Sequence, residues 1–179
     1  MHDQPRVEVE LRVKVEEALA ARLLVTPHTT ATEHDEYFRH VSDSARTWIA
    51  RVRRADDRYS LTLKSSTRFG EGAWDEVNLA LTPEQAAQLR PFLLAHGFAR
   101  EVTIAKRRRT FRQDGMAINL DTIDELGTYL EAEILAAPGE VAEARRRIGT
   151  FFATLGIDEA QITRDGYVRL MREHVAAKG

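Results

Sequence analysis

Charged and apolar residues alternate in segment 7–15, and the charged types could together bind a metal ion and phosphate. Glu8 and Glu10 come first, and Arg12 and Lys14 follow, each separated from the next by one apolar residue. Hard divalent cations prefer carboxylate oxygens, whereas basic side chains bind phosphate oxygens. A strand face that simply meets water would show the same row of charges. This segment alone leaves both interpretations open.

A period of two predicts that this segment is a β-strand with one buried face. Later segments show the same alternation, with ionisable groups on one face and apolar groups on the other. The charged groups of these later faces are Arg51 and Arg53, Lys64, Lys106 and Arg108, Asp121, and Glu131 and Glu133. Because Glu and Lys are depleted in ordinary strands, so many charged faces indicate a function beyond contact with water.

The whole chain predicts about eight strands and four helices. The strands are 7–15, 30–39, 45–53, 58–65, 72–81, 98–113, 116–121 and 126–135, of which 98–113 could also form two strands with a bend. The helices are 16–24, a segment that starts at Thr82 and ends near Gly97, 138–155 and 164–177. Short connections favour antiparallel pairing, so we expect an α+β fold built on a barrel or a strongly curved sheet.

The second helix has a clear start signal. Thr82 can cap it, Pro83 fits its first position, and Gln85 completes a capping box. Pro91 lies inside the predicted helix, where it is expected to kink or interrupt it. The last helix is expected to pack on the barrel or to close one of its ends.

Composition limits the class of protein. A chain of 179 residues favours one domain over 1–179, and 43% hydrophobic residues are ordinary for a globular protein. The formal net charge of -2 argues against a generally basic nucleic-acid-binding protein. The absence of cysteine excludes disulfides and thiolate zinc sites. No segment approaches about 18 consecutive apolar residues, so we expect no membrane span and a cytoplasmic protein.

If the sheet closes, its charged faces line the interior, and isolated charges buried there would be very costly. Charges that are paired around a bound ion or anion are tolerable. An enclosed tunnel of mixed charge therefore suits a polyanion bound with a divalent cation. Carboxylates without a His or Cys cluster favour Mg²⁺ or Mn²⁺ over zinc.

In this combination the motifs resemble the CYTH superfamily, the triphosphate tunnel metalloenzymes, which is named for class IV adenylate cyclases and thiamine triphosphatases. The resemblance extends from residue 7 to about residue 167. The first strand, Glu8-Val9-Glu10-Leu11-Arg12, is similar to the family's Glu-x-Glu-x-Lys. The further matches, in chain order, are Asp35-Glu36-Tyr37-Phe38, Arg51-Val52-Arg53, Leu61-Thr62-Leu63-Lys64, Glu76, Lys106-Arg107-Arg108, Leu120-Asp121 and the run from Leu126 to Glu133. Each motif alone is weak, but their order along one short chain is a strong signal.

The resemblance implies an eight-stranded antiparallel tunnel barrel and assigns roles to the charged residues. The metal ligands would be Glu8, Glu10, Glu131 and Glu133. The substrate-binding residues would be Arg51, Arg53, Lys64, Glu76, Lys106 and Arg108. The catalytic group would comprise Glu8, Glu10, Arg12, Lys14 and Asp121, with Asp121 either orienting a basic residue or binding metal. The family also makes a homodimer a reasonable expectation.

The chain departs from the family signature at Arg12, where the family has Lys. Arginine keeps the charge and can bind phosphate as a fork, but it cannot exchange a proton near neutral pH. Lys14 lies one inward position further along the strand and is expected to compensate in part.

The resemblance implies a Mg²⁺-dependent or Mn²⁺-dependent triphosphatase that acts on inorganic triphosphate, thiamine triphosphate, ATP or another nucleoside triphosphate. One alternative is an adenylate cyclase, which would release cyclic AMP and pyrophosphate and would need a purine pocket. The other is a module that binds polyphosphate or nucleotide without turnover, which the change at Arg12 motivates. Nucleic acid is not an expected partner, because alternate members of the basic run 106–109 point to opposite faces of a strand.

Overall fold

A closed barrel of eight antiparallel strands forms the body of the computed structural model, which describes residues 6–46, 48–69 and 72–178. The strands are β1 (Val7–Lys14), β2 (Thr29–His40), β3 (Trp48–Ala55), β4 (Arg58–Ser65), β5 (Ala73–Leu81), β6 (Phe98–Gln113), β7 (Met116–Ile123) and β8 (Gly127–Ala136). Around the barrel they follow the order β1-β5-β4-β3-β2-β6-β7-β8. The α+β tunnel barrel predicted from the sequence is confirmed.

Four α-helices lie outside or at one end of the barrel within these described ranges. They are α1 (Glu17–Leu23), α2 (Pro83–Ala95), α3 (Val141–Thr154) and α4 (Tyr167–Ala176). None of them is long and apolar enough to cross a membrane. Gln85 and Thr82 form the predicted capping box at the start of α2. Pro91 does not end α2, which continues to Ala95.

Local chemistry sets two features of the long hairpin between β6 and β7. Asp114 and Gly115 have φ angles of 50° and 76°, which match the tight turn that joins twisted antiparallel strands. Further back, β6 is one strand of 16 residues, not two. The register of its pairing with β2 shifts between Tyr37, which pairs with Val102, and Phe38, which pairs with Arg100. The residue of β6 between these two partners therefore has no register partner on β2. This irregularity takes the place of the predicted bend.

Helices cover much of the apolar outer face of the barrel. α1 and α3 pack on β1, β7 and β8, where Val9, Leu130, Ile148 and Phe152 are fully buried. α2 packs on β2 and β3 through a second cluster that contains Phe38. Burial of these apolar faces leaves the charged faces of the same strands directed into the barrel, as alternation requires.

A third apolar cluster lies inside one end of the barrel. The strand residues of this cluster lie on the same inward faces as the charged residues, an even number of positions from them. They include Tyr37, Ile49, Ile104, Ile123 and Tyr129. Tyr167 and Met171 of α4 pack against them. The last helix therefore inserts its apolar face at this end, which agrees with the predicted role of the C-terminal helix.

Candidate active site

A charged cavity of about 1340 Å³ lies inside the barrel. Eleven of the thirteen site residues predicted from the sequence line it. The acids are Glu8, Glu10, Glu76, Glu131 and Glu133, and the bases are Arg12, Arg51, Arg53, Lys64, Lys106 and Arg108. The cavity thus collects on one inner surface the groups that the strand alternation predicted would share it.

Two predicted site residues, Lys14 and Asp121, do not line this cavity, and Lys14 is the one that contacts none of the other site residues among the hydrogen bonds and ion pairs of the described residues. It is exposed at the last position of β1 and does not belong to the cavity lining. The inner surface next to it is already occupied by the apolar cluster that includes Tyr129 and Tyr167. Lys14 is therefore badly placed to compensate for Arg12.

Asp121 is fully buried behind the cavity wall, where it holds two bases. Its carboxylate accepts a hydrogen bond of 3.1 Å from Lys106 Nζ and two from Arg108, at 2.7 Å from Nε and 2.5 Å from Nη2. Burial opposes its ionisation, but Arg108 and Lys106 outweigh that effect and lower the pKa of Asp121. Since both oxygens are engaged, the contacts fit orientation of the bases better than metal binding.

Two further acids, both on β2, contact Arg53 and Lys106. Asp35 forms a fork with Arg53, with 2.7 Å from Nε to Oδ1 and 2.7 Å from Nη2 to Oδ2. Glu33 Oε2 lies 3.0 Å from Arg53 Nη2 and 3.3 Å from Lys106 Nζ. Neither acid belongs to the predicted site set, although Asp35 lies in a matched motif. Alternation of residues 33, 35 and 37 along β2 is the signal that reveals both.

The bases Arg51, Arg53, Lys106 and Arg108, here called the basic half, are held in place and still face the cavity. Arg51 Nη2 donates to Thr62 Oγ1 at 2.7 Å, whereas its Nε is buried without a hydrogen-bond partner among the described residues. Burial, with Arg108 nearby, lowers the pKa of Lys106. An anion in the cavity would give the Nε of Arg51 a partner and would add a further anionic partner to the other three bases.

Carboxylates dominate the opposite half. Glu8, Glu10, Glu76 and Glu133 are here called the acidic cluster. Burial is the main cause that raises the pKa of Glu8, to about 8. Lys64 lowers this pKa, whereas the neighbouring acids Glu10, Glu76 and Glu133 raise it further. Burial and the neighbouring Glu131 likewise raise the pKa of Glu133. Burial also opposes ionisation of Glu10 and Glu76, but Arg12 and Lys64 outweigh it and lower the pKa of Glu10, and Lys64 lowers that of Glu76. The nearby bases therefore offset burial for two members of the cluster and not for Glu8 and Glu133.

Lys64 is the cation at the centre of the acidic cluster. Its Nζ contacts Glu8, lies 2.6 Å from Glu76 Oε2 and lies 3.7 Å from Glu10 Oε2. Strand pairing sets Lys64 directly opposite Glu76. Burial alone would lower the pKa of Lys64, but the three carboxylates raise it well above its usual value. Lys64 therefore stays charged at neutral pH.

Glu131 is engaged in a different way from the acidic cluster. Its Oε2 accepts from Arg12 Nε at 3.1 Å and Nη2 at 2.8 Å. Its Oε1 accepts from Arg108 Nη2 at 2.8 Å and from Asn119 Nδ2 at 3.3 Å. Burial opposes its ionisation, but Arg12 and Arg108 hold its pKa well below the usual range. Both oxygens of Glu131 are thus already paired.

Arg12 connects the cavity to the C-terminal segment. Besides Glu131 it contacts Glu10 at 2.8 Å, and its Nη1 donates to the backbone carbonyl of Asp165. The backbones of Arg12 and Thr163 exchange two hydrogen bonds, of 3.1 and 2.8 Å. The guanidinium also lies over the Tyr167 ring. These C-terminal partners carry no sequence signal, because only the packing of α4 brings them to β1.

The donor set fits a hard divalent cation. The acidic cluster offers several largely buried carboxyl oxygens close together, the ligand type that Mg²⁺ and Mn²⁺ prefer. In the described part of the chain, no three acidic or histidine side chains already surround a common point in ligand geometry. The reason lies in the ion pairs, since Glu8, Glu10 and Glu76 are each directed at a basic side chain.

The sequence matches the CYTH domain model over residues 6–167. No curated protein sequence matches the chain. Among solved structures, the PH1819 protein from Pyrococcus horikoshii OT3 superimposes with a TM-score of 0.80 at 23% identity, covering 93% of this chain and 98% of that chain.

Two other solved structures share the fold. A Vibrio parahaemolyticus protein, provisionally named an adenylate cyclase, has a TM-score of 0.75 at 18% identity, covering 97% of this chain and 99% of that chain. HpAC1 from Hippeastrum, a provisionally named adenylyl cyclase described as having a dominant triphosphatase activity, has a TM-score of 0.64 at 19% identity, covering 90% and 91%. At such identities the likeness shows the common fold.

Proposed function

This chain belongs to the CYTH domain family, and we propose that it is a divalent-metal-dependent enzyme that hydrolyses a triphosphate substrate inside the barrel. One observation carries the proposal. A single cavity is lined by the basic half from β3 and β6 and by the acidic cluster from β1, β5 and β8, and the strand order places these two groups of strands on opposite sides of the barrel. A triphosphate chelated by a divalent cation presents anionic oxygens and a cation together, which is the complement of that arrangement.

The basic half supports recognition of phosphate. Arg53 and Arg108 are each fixed by a carboxylate fork, and Lys106 is anchored on Asp121. Groups fixed in this way need little reorganisation when an anion arrives. Such preorganised cations stabilise charge that moves onto the leaving phosphate.

The acidic cluster supports the metal assignment. Glu8, Glu10 and Glu133 would hold the cation, as the family resemblance implies. Glu76 would join them, because it contacts the same Lys64 ammonium as Glu8. When bound, a divalent cation neutralises phosphate charge and orients the attacking water. Glu131, which the resemblance also assigns to the metal, serves in this proposal to hold Arg12 and Arg108 in place.

Arg12 supports catalysis that relies on position and charge. Its three nitrogens all have partners, and arginine does not release a proton near neutral pH. In this proposal Arg12 keeps Glu131 and Glu10 oriented and takes no part in proton transfer. Positioning and electrostatic stabilisation are the usual basis of phosphoryl-transfer catalysis.

A product assay tests the proposal against its two rivals. The purified protein is given Mg²⁺ or Mn²⁺ with ATP, thiamine triphosphate and inorganic triphosphate in turn, and phosphate, pyrophosphate and cyclic AMP are measured separately. We expect phosphate release, and we expect Glu8→Gln to abolish it. Cyclic AMP with pyrophosphate would identify a cyclase, and binding without any product would identify a non-catalytic module.

A further inference from the structure

Lys64 lies where the acidic cluster converges. Its ammonium contacts Glu8, lies 2.6 Å from Glu76 and lies within 4 Å of Glu10. The side chains of all four residues are largely buried. No other lysine or arginine contacts more than one member of this cluster among the ion pairs of the described residues. One ammonium therefore supplies most of the positive charge at the point where the carboxylates meet.

We propose that Lys64 is an internal counter-ion, which occupies the metal position in the metal-free protein and moves to the triphosphate when the metal binds. This inference rests on the proposed function in taking the acidic cluster as the metal site. It adds a role for Lys64 beyond phosphate binding, namely competition with the metal for the same oxygens.

Competition follows from the geometry of the carboxylates. A Mg²⁺ ion needs oxygen ligands at about 2.1 Å, so the carboxylates must turn their oxygens away from the ammonium and towards the ion. Both cations cannot share the same few oxygens, because they would also repel each other at that short separation. Metal binding therefore displaces the ammonium of Lys64.

The displaced side chain has a destination within reach. Lys64 lies on the same inner face of β4 as Thr62, which contacts Arg51 of the basic half. A lysine ammonium on a flexible four-carbon stem has three rotatable donors and can turn to a phosphate group. The cavity that holds the metal would then present one more cation to the triphosphate.

Such an exchange makes metal and triphosphate binding cooperative. Binding of the metal frees a phosphate ligand, and binding of the triphosphate draws the competing ammonium away from the metal site. By linkage, each partner tightens the binding of the other by the same factor. Without Lys64 the metal alone should bind more tightly and the cooperativity should fall.

Calorimetric titration with Mn²⁺ alone tests the competition, using wild type, Lys64→Met and Arg51→Met. Arg51→Met is the matched control, because it removes a cavity cation that forms no ion pair with the acidic cluster in the described structure. We expect Lys64→Met to bind Mn²⁺ about tenfold more tightly than wild type and Arg51→Met to differ by less than threefold. Unchanged or weaker binding by a folded Lys64→Met would overturn the inference.

Nuclear magnetic resonance on the wild-type protein gives a second readout that needs no variant to fold. The sequence has only four lysines, Lys14, Lys64, Lys106 and Lys178, so ¹³C-lysine labelling gives few signals. On addition of Mg²⁺ we expect the Lys64 Cε signal to shift most. If the metal bound while the Lys64 signal did not move, the exchange of Lys64 would be wrong but the metal site would stand. If neither Mg²⁺ nor Mn²⁺ bound, both the exchange and the proposed metal site would be wrong.

Discussion

The guanidinium carbon of Arg12 lies 4.4 Å from the ring centroid of Tyr167, in a cation–π contact between the first strand and the last helix. Arg12 is 3% exposed and Tyr167 is 5% exposed, so the contact is shielded from water. Cation–π contacts of this kind stabilise more when desolvated. The position at which the family carries Lys thus serves here to fasten the C-terminal segment to the barrel.

Substitution of Arg12 by the family's own residue should therefore weaken the protein. In Arg12→Lys a single ammonium cannot bind Glu131 as a fork and also reach the Asp165 carbonyl. We expect the free energy of unfolding to fall by about 1–3 kcal/mol. We also expect faster amide hydrogen exchange in residues 163–176. Unchanged exchange and stability would mean that Arg12 does not anchor this segment.

Asp35→Asn should lower stability in a way that depends on pH. Asp35 is fully buried, and although burial opposes its ionisation, hydrogen bonds and charge from Arg53 hold its pKa below the usual value. Loss of one partner from such a pair costs about 3–5 kcal/mol. Denaturant unfolding of both proteins near pH 7 measures this difference.

The sign of the pH effect follows from the lowered pKa of Asp35. The ion pair contributes fully above the unfolded-state pKa of about 3.9, and its contribution falls as the pH drops through the folded-state value. The stability gap between wild type and Asp35→Asn should therefore be constant near neutrality and narrow in acid. A gap that widens below pH 4 would contradict this account of Asp35.

Asp121→Asn should impair substrate binding as well as folding. The variant removes the charge that anchors both Lys106 and Arg108, so the two bases lose their fixed direction. We expect KM for the triphosphate to rise at least tenfold and the melting temperature to fall. Asp124→Asn is the matched control, because Asp124 is exposed and the change in charge is the same. If the two variants had the same kinetics, Asp121 would not position the bases.

Glu131→Gln and Glu133→Gln should separate the structural acid from the metal-binding acid. Glu131 is paired on both oxygens, so Glu131→Gln should lower the melting temperature strongly. Among the hydrogen bonds and ion pairs of the described residues, the Glu133 carboxylate has one long contact, 3.5 Å from Asn119 Nδ2, and its acidic neighbours repel it. Glu133→Gln should therefore keep or raise the melting temperature while weakening Mn²⁺ binding. The opposite pattern would reverse the two roles.

Alternation along the strands made much of this site predictable. Arg51 and Arg53 on β3, and Glu131 and Glu133 on β8, reach the cavity because successive side chains of a strand point to opposite faces. The same rule applied to β2 identifies Glu33 and Asp35. Local pattern therefore determines which residues face inward once the sheet closes.

Contacts between distant segments could not be predicted in the same way. Period-2 alternation assigns Lys14 to the inner face, yet the barrel end there is filled by Tyr129 and Tyr167, and Lys14 remains exposed. The contact between Arg12 and Asp165 depends on the docking of α4, which no local pattern specifies. The convergence of three acids on Lys64 likewise requires the register of three strands.

The most direct test of the central claim uses inorganic triphosphate as the sole substrate. This molecule has no ribose hydroxyl, so it can react only with water or another external nucleophile, and it contains only the groups that the cavity is proposed to recognise. The reaction with Mg²⁺ is followed by ³¹P nuclear magnetic resonance, with Glu8→Gln as the control. We expect equal amounts of phosphate and pyrophosphate from wild type and none from the variant. Two results would contradict hydrolysis in the tunnel. In one, inorganic triphosphate persists while ATP yields cyclic AMP, and in the other, inorganic triphosphate binds to the protein without reacting.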